Sequence, residues 1–192
     1  MGVDKKFLTE SYRRMSEKEL LSILNEYNDL TPEAQEALRD EIVSRGMGEG
    51  IETAIDRREK GVSDEILFEF AEMIRKMACP HCSGTKKKLN GIIVVNSRYL
   101  DYIIGCPDCL QRELSDAQAV SVSMGFIGVT GLLRSVNNLA AYSNYTKDIK
   151  EDKPTTALIS FIKEKIAEIE LYRNKPEKLT ALIKHPNAIS SS

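Results

Sequence analysis

Residues 79–109 read CPHCSGTKKKLNGIIVVNSRYLDYIIGCPDC and contain all four cysteines of the chain. The cysteines form two matched Cys-Pro-x-Cys pairs, Cys79 with Cys82 and Cys106 with Cys109. A tetrahedral zinc ion takes four ligands and binds thiolates at about 2.3 Å. Two cysteines three positions apart can occupy one edge of such a tetrahedron, and the proline between them stiffens the turn. The spacing therefore predicts one structural Zn²⁺ site with four thiolate ligands.

Two apolar runs between the pairs predict a β-hairpin. They read IIVV at 92–95 and YLDYII at 99–104, and the Asn96-Ser97 between them is typical of a turn. With one cysteine pair at each end of the hairpin, the stretch resembles the zinc-ribbon group of proteins over residues 79–109. This resemblance implies metal binding and says little about function. Two features depart from it: the gap between the pairs exceeds the usual ~15–20 residues, and Leu110 follows the second pair where glycine is common.

The first pair has a second resemblance, to the active-site tetrad of thiol–disulfide oxidoreductases with a thioredoxin fold. In those proteins the pair follows a strand and opens a helix, whose N-terminus lowers the pKa of the first thiol. Here the apolar pattern predicts a helix before Cys79 and a polar loop after Cys82, which is the wrong order. A second pair would also be superfluous for such an enzyme. His81 is a further candidate ligand, although its place inside the pair favours a solvated neighbour.

The rest of the chain predicts helices, so we expect a mostly helical α+β fold. Ser16 and Glu19 have the spacing of a capping box, and Thr31-Pro32 has the pattern of a second helix start. One amphipathic helix is predicted from Thr155 or Thr156 to Tyr172. The expected parts are a helical segment at 1–78 with a helical hairpin at 16–46, the zinc ribbon at 79–112, a glycine-rich tract and helical region at 113–186, and a disordered tail at 187–192.

Basic residues cluster around the first cysteine pair, and residues 75–90 contain no acidic residue. A basic loop of this kind could contact nucleic-acid phosphates. The simpler interpretation is that nearby cations offset the formal double negative charge of zinc with four thiolates. The net charge of the whole chain, −2, does not suggest a dedicated DNA-binding protein. The candidate contacts are Arg75, Lys76, Lys86, Lys87 and Lys88.

A second unusual stretch, residues 117–146, contains one charged residue, Arg134. Its glycines are not a phosphate-binding loop, because no Gly-Lys-Ser/Thr follows them. If the stretch is helical, small residues on one face let another backbone approach closely. The partner surface could be another part of the chain, a second copy or other protein, or the interfacial layer of a membrane; no run is long enough to span one. The candidate contact residues are Ser121, Gly125, Phe126, Gly128 and Gly131.

Catalytic groups are scarce. His81 and His185 are the two histidines, neither has an obvious triad partner, and no serine lies in a nucleophile-elbow pattern. Four thiolates would also leave zinc no open position for a water molecule. The sequence therefore favours a non-catalytic role without excluding an enzyme. Cysteines in metal spacing, with no signal peptide pattern in the first ten residues, predict a cytoplasmic protein.

These observations favour a zinc-binding adaptor or protein-interaction protein. Nucleic-acid binding through the basic loop is the alternative, and thiol–disulfide exchange is the second alternative.

Overall fold

The structure, a computed structural model, describes residues 5–47, 50–95, 100–124, 145, 147–148 and 151–186, with only the backbone of 58–59, 95, 100 and 117–124. Its helices are α1 (Lys5–Arg14), α2 (Glu17–Asn25), α3 (Pro32–Ser44), α4 (Ile51–Lys60), α5 (Asp64–Arg75), α6 (Pro107–Met124), α7 (Thr156–Glu164), α8 (Ile166–Tyr172) and α9 (Pro176–Lys184). Its strands are β1 (Asn90–Val95) and β2 (Leu100–Gly105). The predicted α+β class, mostly helical, is confirmed.

The chain divides into two compact units. The first, which we call the helical unit, comprises Met1–Ser63 and Glu164–Leu179. The second, which we call the cysteine unit, comprises Asp64–Lys163 and Thr180–Ser192. The predicted part boundaries at residues 78, 112 and 186 remain a prediction. Within the described residues, no helix has both the length and the apolar character needed to span a membrane.

The helix starts of the helical unit follow the sequence signals. Ser16 accepts the N–H of Glu19 and the Glu19 carboxylate accepts the N–H of Ser16, which completes the predicted capping box. Thr31 caps α3, and Pro32 occupies its first turn. The apolar faces of these helices pack into one core with residues of α4 and α8. Its fully buried members are Leu20, Leu21, Leu24, Ala37, Leu38, Ala54 and Ala167.

Helix α1 lies in the segment predicted to be helical at 1–78, but its bounds were not predicted, and only Tyr12 of its ten residues is buried. Its C-terminal end is held by a residue distant in sequence. The Arg45 guanidinium donates to the carbonyl oxygens of Tyr12 at 2.8 Å, Arg13 at 3.0 Å and Met15 at 2.6 Å. The last carbonyls of a helix have no intrahelical N–H partner, and besides Arg45 only the Tyr12 carbonyl has a backbone donor here, the Met15 N–H at 3.1 Å. A tertiary contact from Arg45 therefore helps to stabilise the end of this helix.

The single helix predicted from residue 155 or 156 to 172 is wrong. The structure has two helices, α7 and α8, separated at Lys165. The Asn25 side chain contacts the first turn of α8, just after the break. Its Oδ1 accepts the N–H of Ala167 at 3.3 Å, and its Nδ2 donates to Glu168. The apolar periodicity continues through the break, so the sequence alone gave no sign of it.

The cysteine unit contains the predicted hairpin. Strands β1 and β2 pair antiparallel, from Asn90 opposite Gly105 to Val95 opposite Leu100. The predicted turn at Asn96-Ser97 lies outside the described residues. One group of apolar side chains packs between the sheet and α6, and its buried members are Ile92, Val94, Leu110, Leu114 and Tyr145.

Strand β1 is also held by the start of α7. The Thr155 hydroxyl donates to the Gly91 carbonyl at 2.7 Å and accepts the N–H groups of Gly91 at 3.1 Å and Leu158 at 3.3 Å. Asn90 Oδ1 accepts the Thr155 N–H at 3.0 Å. A side chain on Gly91 would place its Cβ 2.9 Å from the Leu158 nitrogen, so only glycine permits this approach. Thr155 thereby supplies the hydrogen bonds that a neighbouring strand would otherwise make with Gly91 at the outer edge of β1.

Candidate metal centre

The fold brings the four cysteines to one point. All four sulfur atoms lie within 4.8 Å of one another, and the Cys82 and Cys106 sulfurs are 3.6 Å apart. Tetrahedral coordination with bonds of about 2.3 Å requires sulfurs about 3.8 Å apart. Cys79, Cys106 and Cys109 are buried, whereas Cys82 is exposed. The arrangement is therefore one that could hold a metal ion with only small movements of the side chains.

The first pair lies in a closed turn. The Ser83 N–H donates to the Cys79 carbonyl at 2.7 Å, and the Cys79 N–H donates to the Gly84 carbonyl at 2.9 Å. Ser83 has a left-handed backbone conformation, with φ at 58°. This conformation costs a non-glycine residue about 1–2 kcal/mol. The turn places both sulfurs of the pair on the same side of the chain.

The second pair has a different local structure, in which β2 leads directly into α6. Pro107 is the first residue of α6, and the Leu110 N–H donates to the Cys106 carbonyl at 3.0 Å. Leu110 is fully buried in the core of the unit. The zinc-ribbon resemblance places a second turn here, whereas the structure has the first turn of a helix. Leu110 departs from the zinc-ribbon pattern because its side chain is part of the buried core of this unit.

This strand-to-helix order is the one that thiol–disulfide oxidoreductases use, and it occurs at the second pair instead of the first. An attacking thiol at such a position needs a lowered pKa. Burial instead raises the pKa of Cys106 and, even more, that of Cys109, and their cysteine neighbours add to the effect at Cys109. The second pair therefore has the strand-to-helix order of a redox site but lacks the lowered thiol pKa that such a site needs.

Backbone N–H groups point at the first sulfur of the cluster. Burial opposes ionisation of Cys79, but N–H groups of Cys106, His81 and Cys82 outweigh it and lower its pKa to about 7. The Cys106 N–H lies 3.3 Å from the Cys79 sulfur. One thiolate is stabilised without a metal, whereas burial opposes ionisation of Cys106 and Cys109. A cation bound among the sulfurs would offset this cost by favouring the thiolate form of its ligands.

His81 lies outside the four-sulfur group. Its Nε2 donates to the Ile104 carbonyl at 3.0 Å, which fixes the ring beside the end of β2. A Cβ on Gly105 would lie 3.1 Å from the ring carbon Cδ2, so the glycine leaves the space that the ring occupies. The imidazole thus packs against the hairpin next to the cluster.

Two of the five predicted phosphate-contact residues, Arg75 and Lys88, meet at one carboxylate. Arg75 is 2% exposed and pairs with Glu72 and with Asp152, whose Oδ1 lies 2.6 Å from Nη2. Lys88 pairs with the other oxygen of Asp152. Hydrogen bonds from Lys88 and then from Arg75 lower the pKa of Asp152. Arg75 therefore faces the interior of the unit, not an external phosphate.

The lysines of the loop after the first pair differ in their surroundings. Lys87 Nζ lies 2.7 Å from both carboxylate oxygens of Asp108, the residue between the prolyl and cysteinyl positions of the second pair. This ion pair joins the loop of the first pair to the helix of the second. Lys76 and Lys86 are exposed, and neither side chain has an ion pair among the described residues.

The predicted interaction tract is mostly outside the described residues. Gly125, Phe126, Gly128 and Gly131 all lie there. Ser121 falls in the C-terminal half of α6, where the backbone alone is described. The backbone of residues 117–124 is helical.

Comparison with known proteins finds no matching family model, no similar curated protein and no similar solved structure.

Sequence reasoning missed the groups that support the cluster. Asp108 anchors Lys87, and Thr155 anchors β1, but neither role was predicted from the cysteine motif or the apolar pattern. A signal for Asp108 did exist, since an acidic residue after proline is typical of a helix start. Nothing near Thr155 in the sequence points to β1, because the contact joins residues 64 positions apart.

Proposed function

We propose that the chain binds one zinc ion through Cys79, Cys82, Cys106 and Cys109, and that this zinc has a structural and not a catalytic role. The observation that carries the proposal is the convergence of four sulfurs within 4.8 Å, three of them on buried residues. Thiolates in a tetrahedral set suit zinc, whereas magnesium and calcium prefer oxygen ligands. Four protein ligands leave the metal no open position for substrate or water.

The proposed role of the zinc is to hold the turn of the first pair against the start of α6. The turn of the first pair has no apolar side chains of its own to bury, because residues 83–88 are small or polar. A metal bridge to the start of α6 would fix this turn without a local core. The unit would then present a rigid hairpin and helix as a platform for protein contacts, in a compartment that keeps thiols reduced.

Zinc content and thiol protection test the metal assignment. The full chain is purified under reducing, chelator-free conditions, and zinc is measured by plasma mass spectrometry together with reactive thiols. One zinc per chain, with thiols that react slowly until chelator is added, is the expected result. The matched controls are Cys106→Ser, expected to lose zinc, and Ser115→Ala, an exposed position of α6, expected to keep it. Thiols that react fully in the absence of chelator would contradict the proposal.

Protein interaction through the glycine-rich tract is the biological role we propose for this platform. It is supported by the near absence of charge in residues 117–146 and by the closed metal set. Size-exclusion chromatography with light scattering measures oligomers of the chain or its complexes with a partner. The double variant Gly125→Leu/Gly128→Leu should no longer form the oligomer or complex that the parent chain forms. Ser190→Leu/Ser191→Leu, which adds the same apolar atoms to the tail, should keep it. Equal behaviour of both variants and the parent chain would contradict an interaction through the tract.

Phosphate contact is the second candidate function, and it now depends on Lys76 and Lys86. Their exposure favours it, while the carboxylate partners of Arg75, Lys87 and Lys88 weigh against those three. Lys76→Glu/Lys86→Glu should abolish any salt-sensitive binding of single-stranded RNA, measured by fluorescence anisotropy between low and moderate salt. Binding that is absent, or unaffected by this variant, would remove the candidate.

A further inference from the structure

We propose that Cys82 is a site of oxidative modification, at which peroxides enter the metal centre, and that Cys106 is the cysteine that then forms a disulfide with it. The inference rests on the zinc site proposed above. It assigns the four ligands different chemical roles, although their sequence pattern is the same in both pairs.

The first observation is exposure. The three other cysteines are 1%, 5% and 4% exposed, for Cys79, Cys106 and Cys109 respectively. Cys82 belongs to the exposed residues. Oxidation of cysteine follows access and thiolate character, and all four sulfurs would share thiolate character when bound to zinc. Access therefore selects Cys82.

The second observation is Gly84, which leaves the Cys82 sulfur uncovered on one side. A Cβ at residue 84 would lie only 3.3 Å from this sulfur, closer than an ordinary van der Waals contact. Gly84 has no positive φ that would require glycine. Its lack of a side chain therefore leaves space next to the sulfur, and a methyl group would fill that space.

The third observation is the position of the Cys106 sulfur, 3.6 Å from that of Cys82. A disulfide has a sulfur–sulfur distance of about 2.05 Å, so a movement of about 1.5 Å would join the two. The bond would link the first pair to the second, and would not form inside either Cys-Pro-x-Cys pair. It would preserve the connection between turn and helix after the metal has left.

The chemistry needs a peroxide as the oxidant. The Cys82 thiolate attacks one oxygen of hydrogen peroxide, the O–O bond breaks, and hydroxide leaves, so that Cys82 becomes a sulfenic acid. The Cys106 thiolate attacks the Cys82 sulfur, the S–O bond breaks, and a second hydroxide leaves. The two sulfurs lose two electrons, and the peroxide becomes two waters after protonation. Zinc leaves as Zn²⁺, and the Cys79 and Cys109 thiolates take up protons.

Peptide mapping of the zinc-loaded full chain tests the proposal. One equivalent of hydrogen peroxide is added, zinc release is followed with a chromogenic chelator, and samples are quenched with N-ethylmaleimide at increasing times. Trypsin leaves Cys79 and Cys82 in the peptide of residues 77–86, and Cys106 and Cys109 in that of residues 99–112. We expect the two peptides cross-linked through Cys82 and Cys106, with one zinc released per cross-link and both changes reversed by dithiothreitol.

A variant that keeps all four ligands separates access from metal binding. Gly84→Ala should retain one zinc per chain and oxidise at least about threefold more slowly, because the methyl group covers the Cys82 sulfur. The control is Thr85→Ala, which changes the neighbouring, exposed residue and should oxidise at the parental rate. With substoichiometric N-ethylmaleimide and no peroxide, Cys82 should be the first cysteine labelled in the parent chain.

Three results would overturn the proposal while leaving the zinc site intact: a first disulfide inside either pair, first labelling at another cysteine, or an unchanged rate in Gly84→Ala. A chain that holds no zinc before peroxide is added would overturn the zinc proposal and this one with it. Zinc content is therefore measured on every sample before oxidation.

Discussion

The two Cys-Pro-x-Cys pairs share a sequence pattern but have different local structures. The first lies in a turn that two backbone hydrogen bonds close, at the start of an exposed lysine loop. The second lies in the first turn of α6, an 18-residue helix whose Leu110 and Leu114 are buried in the core. The residues that follow each pair decide the difference. Ser83-Gly84 permits a left-handed turn, whereas Leu110 continues a helix and anchors it.

The two pairs of proposed metal ligands therefore receive unequal support from the rest of the unit. The helix of the second pair has its own backbone hydrogen bonds and buried apolar contacts, so we expect it to form whether or not a metal is bound. The turn of the first pair depends on its neighbours: β1 beyond it, the Lys87–Asp108 ion pair beside it, and the proposed zinc.

Metal removal should have the largest effect, and it should fall mainly on the first pair. Structural zinc contributes about 10–16 kcal/mol in small zinc-dependent domains, so its loss should release the turn. We expect amide protection at residues 79–84 to fall by at least about a hundredfold with chelator, and that at 110–116 by less than about tenfold. Hydrogen exchange with mass spectrometry measures both segments in one sample. Equal loss at the two segments would mean that the pairs depend on metal alike.

Loss of the Thr155 hydroxyl should weaken the first pair from a distance, through β1. Thr155→Val leaves the buried N–H and carbonyl groups of Gly91 without their partner, and each unsatisfied group costs about 1–3 kcal/mol. We expect a loss of about 2–4 kcal/mol of unfolding free energy in urea. The control, Thr156→Val, changes an exposed hydroxyl and should alter stability by less than about 0.5 kcal/mol. A similar stability for the two variants would contradict the anchoring role of Thr155.

Serine substitutions should separate the two pairs even in the absence of metal. Cys109 is 4% exposed, so Cys109→Ser places a hydroxyl in a buried position at a cost of about 1–3 kcal/mol. Cys82→Ser changes an exposed position and should cost less than about 0.5 kcal/mol. The comparison is made by urea unfolding in chelator and reductant. If Cys82→Ser is the more destabilising, the structural distinction between the pairs is wrong.

Asp152 should contribute less to stability than the groups above, and this contribution should be lost in acid. Hydrogen bonds from Lys88 and Arg75 lower the pKa of this carboxyl in the folded chain. The stabilisation is therefore fully present above the unfolded-state pKa, near 3.8, and is lost as the pH falls through the lower folded-state value. Asp152→Asn should be less stable than the parent at neutral pH, and the gap should close in strong acid. Urea midpoints of the chelated proteins across pH test this, and a gap that does not change with pH would contradict it.

The sequence predicted most of the centre and part of the fold for identifiable physical reasons. Short-range rules were sufficient for the four cysteines, the hairpin and the caps at Ser16 and Thr31, because spacing and local hydrogen bonding determine them. Long-range contacts were not accessible to such rules. The end of the helix at residues 5–14 is held by Arg45, and the first turn of the helix after Lys165 contacts Asn25. The helix after Cys106 was missed because a matched motif suggested a matched structure.

Zinc K-edge X-ray absorption on the chain purified without chelator identifies the atoms bound to the metal. The four-cysteine zinc site predicts a single shell of four sulfur atoms at about 2.3 Å. A shell containing nitrogen or oxygen at about 2.0–2.1 Å would contradict it, since His81 or water would then complete the set. A chain without zinc would contradict it outright.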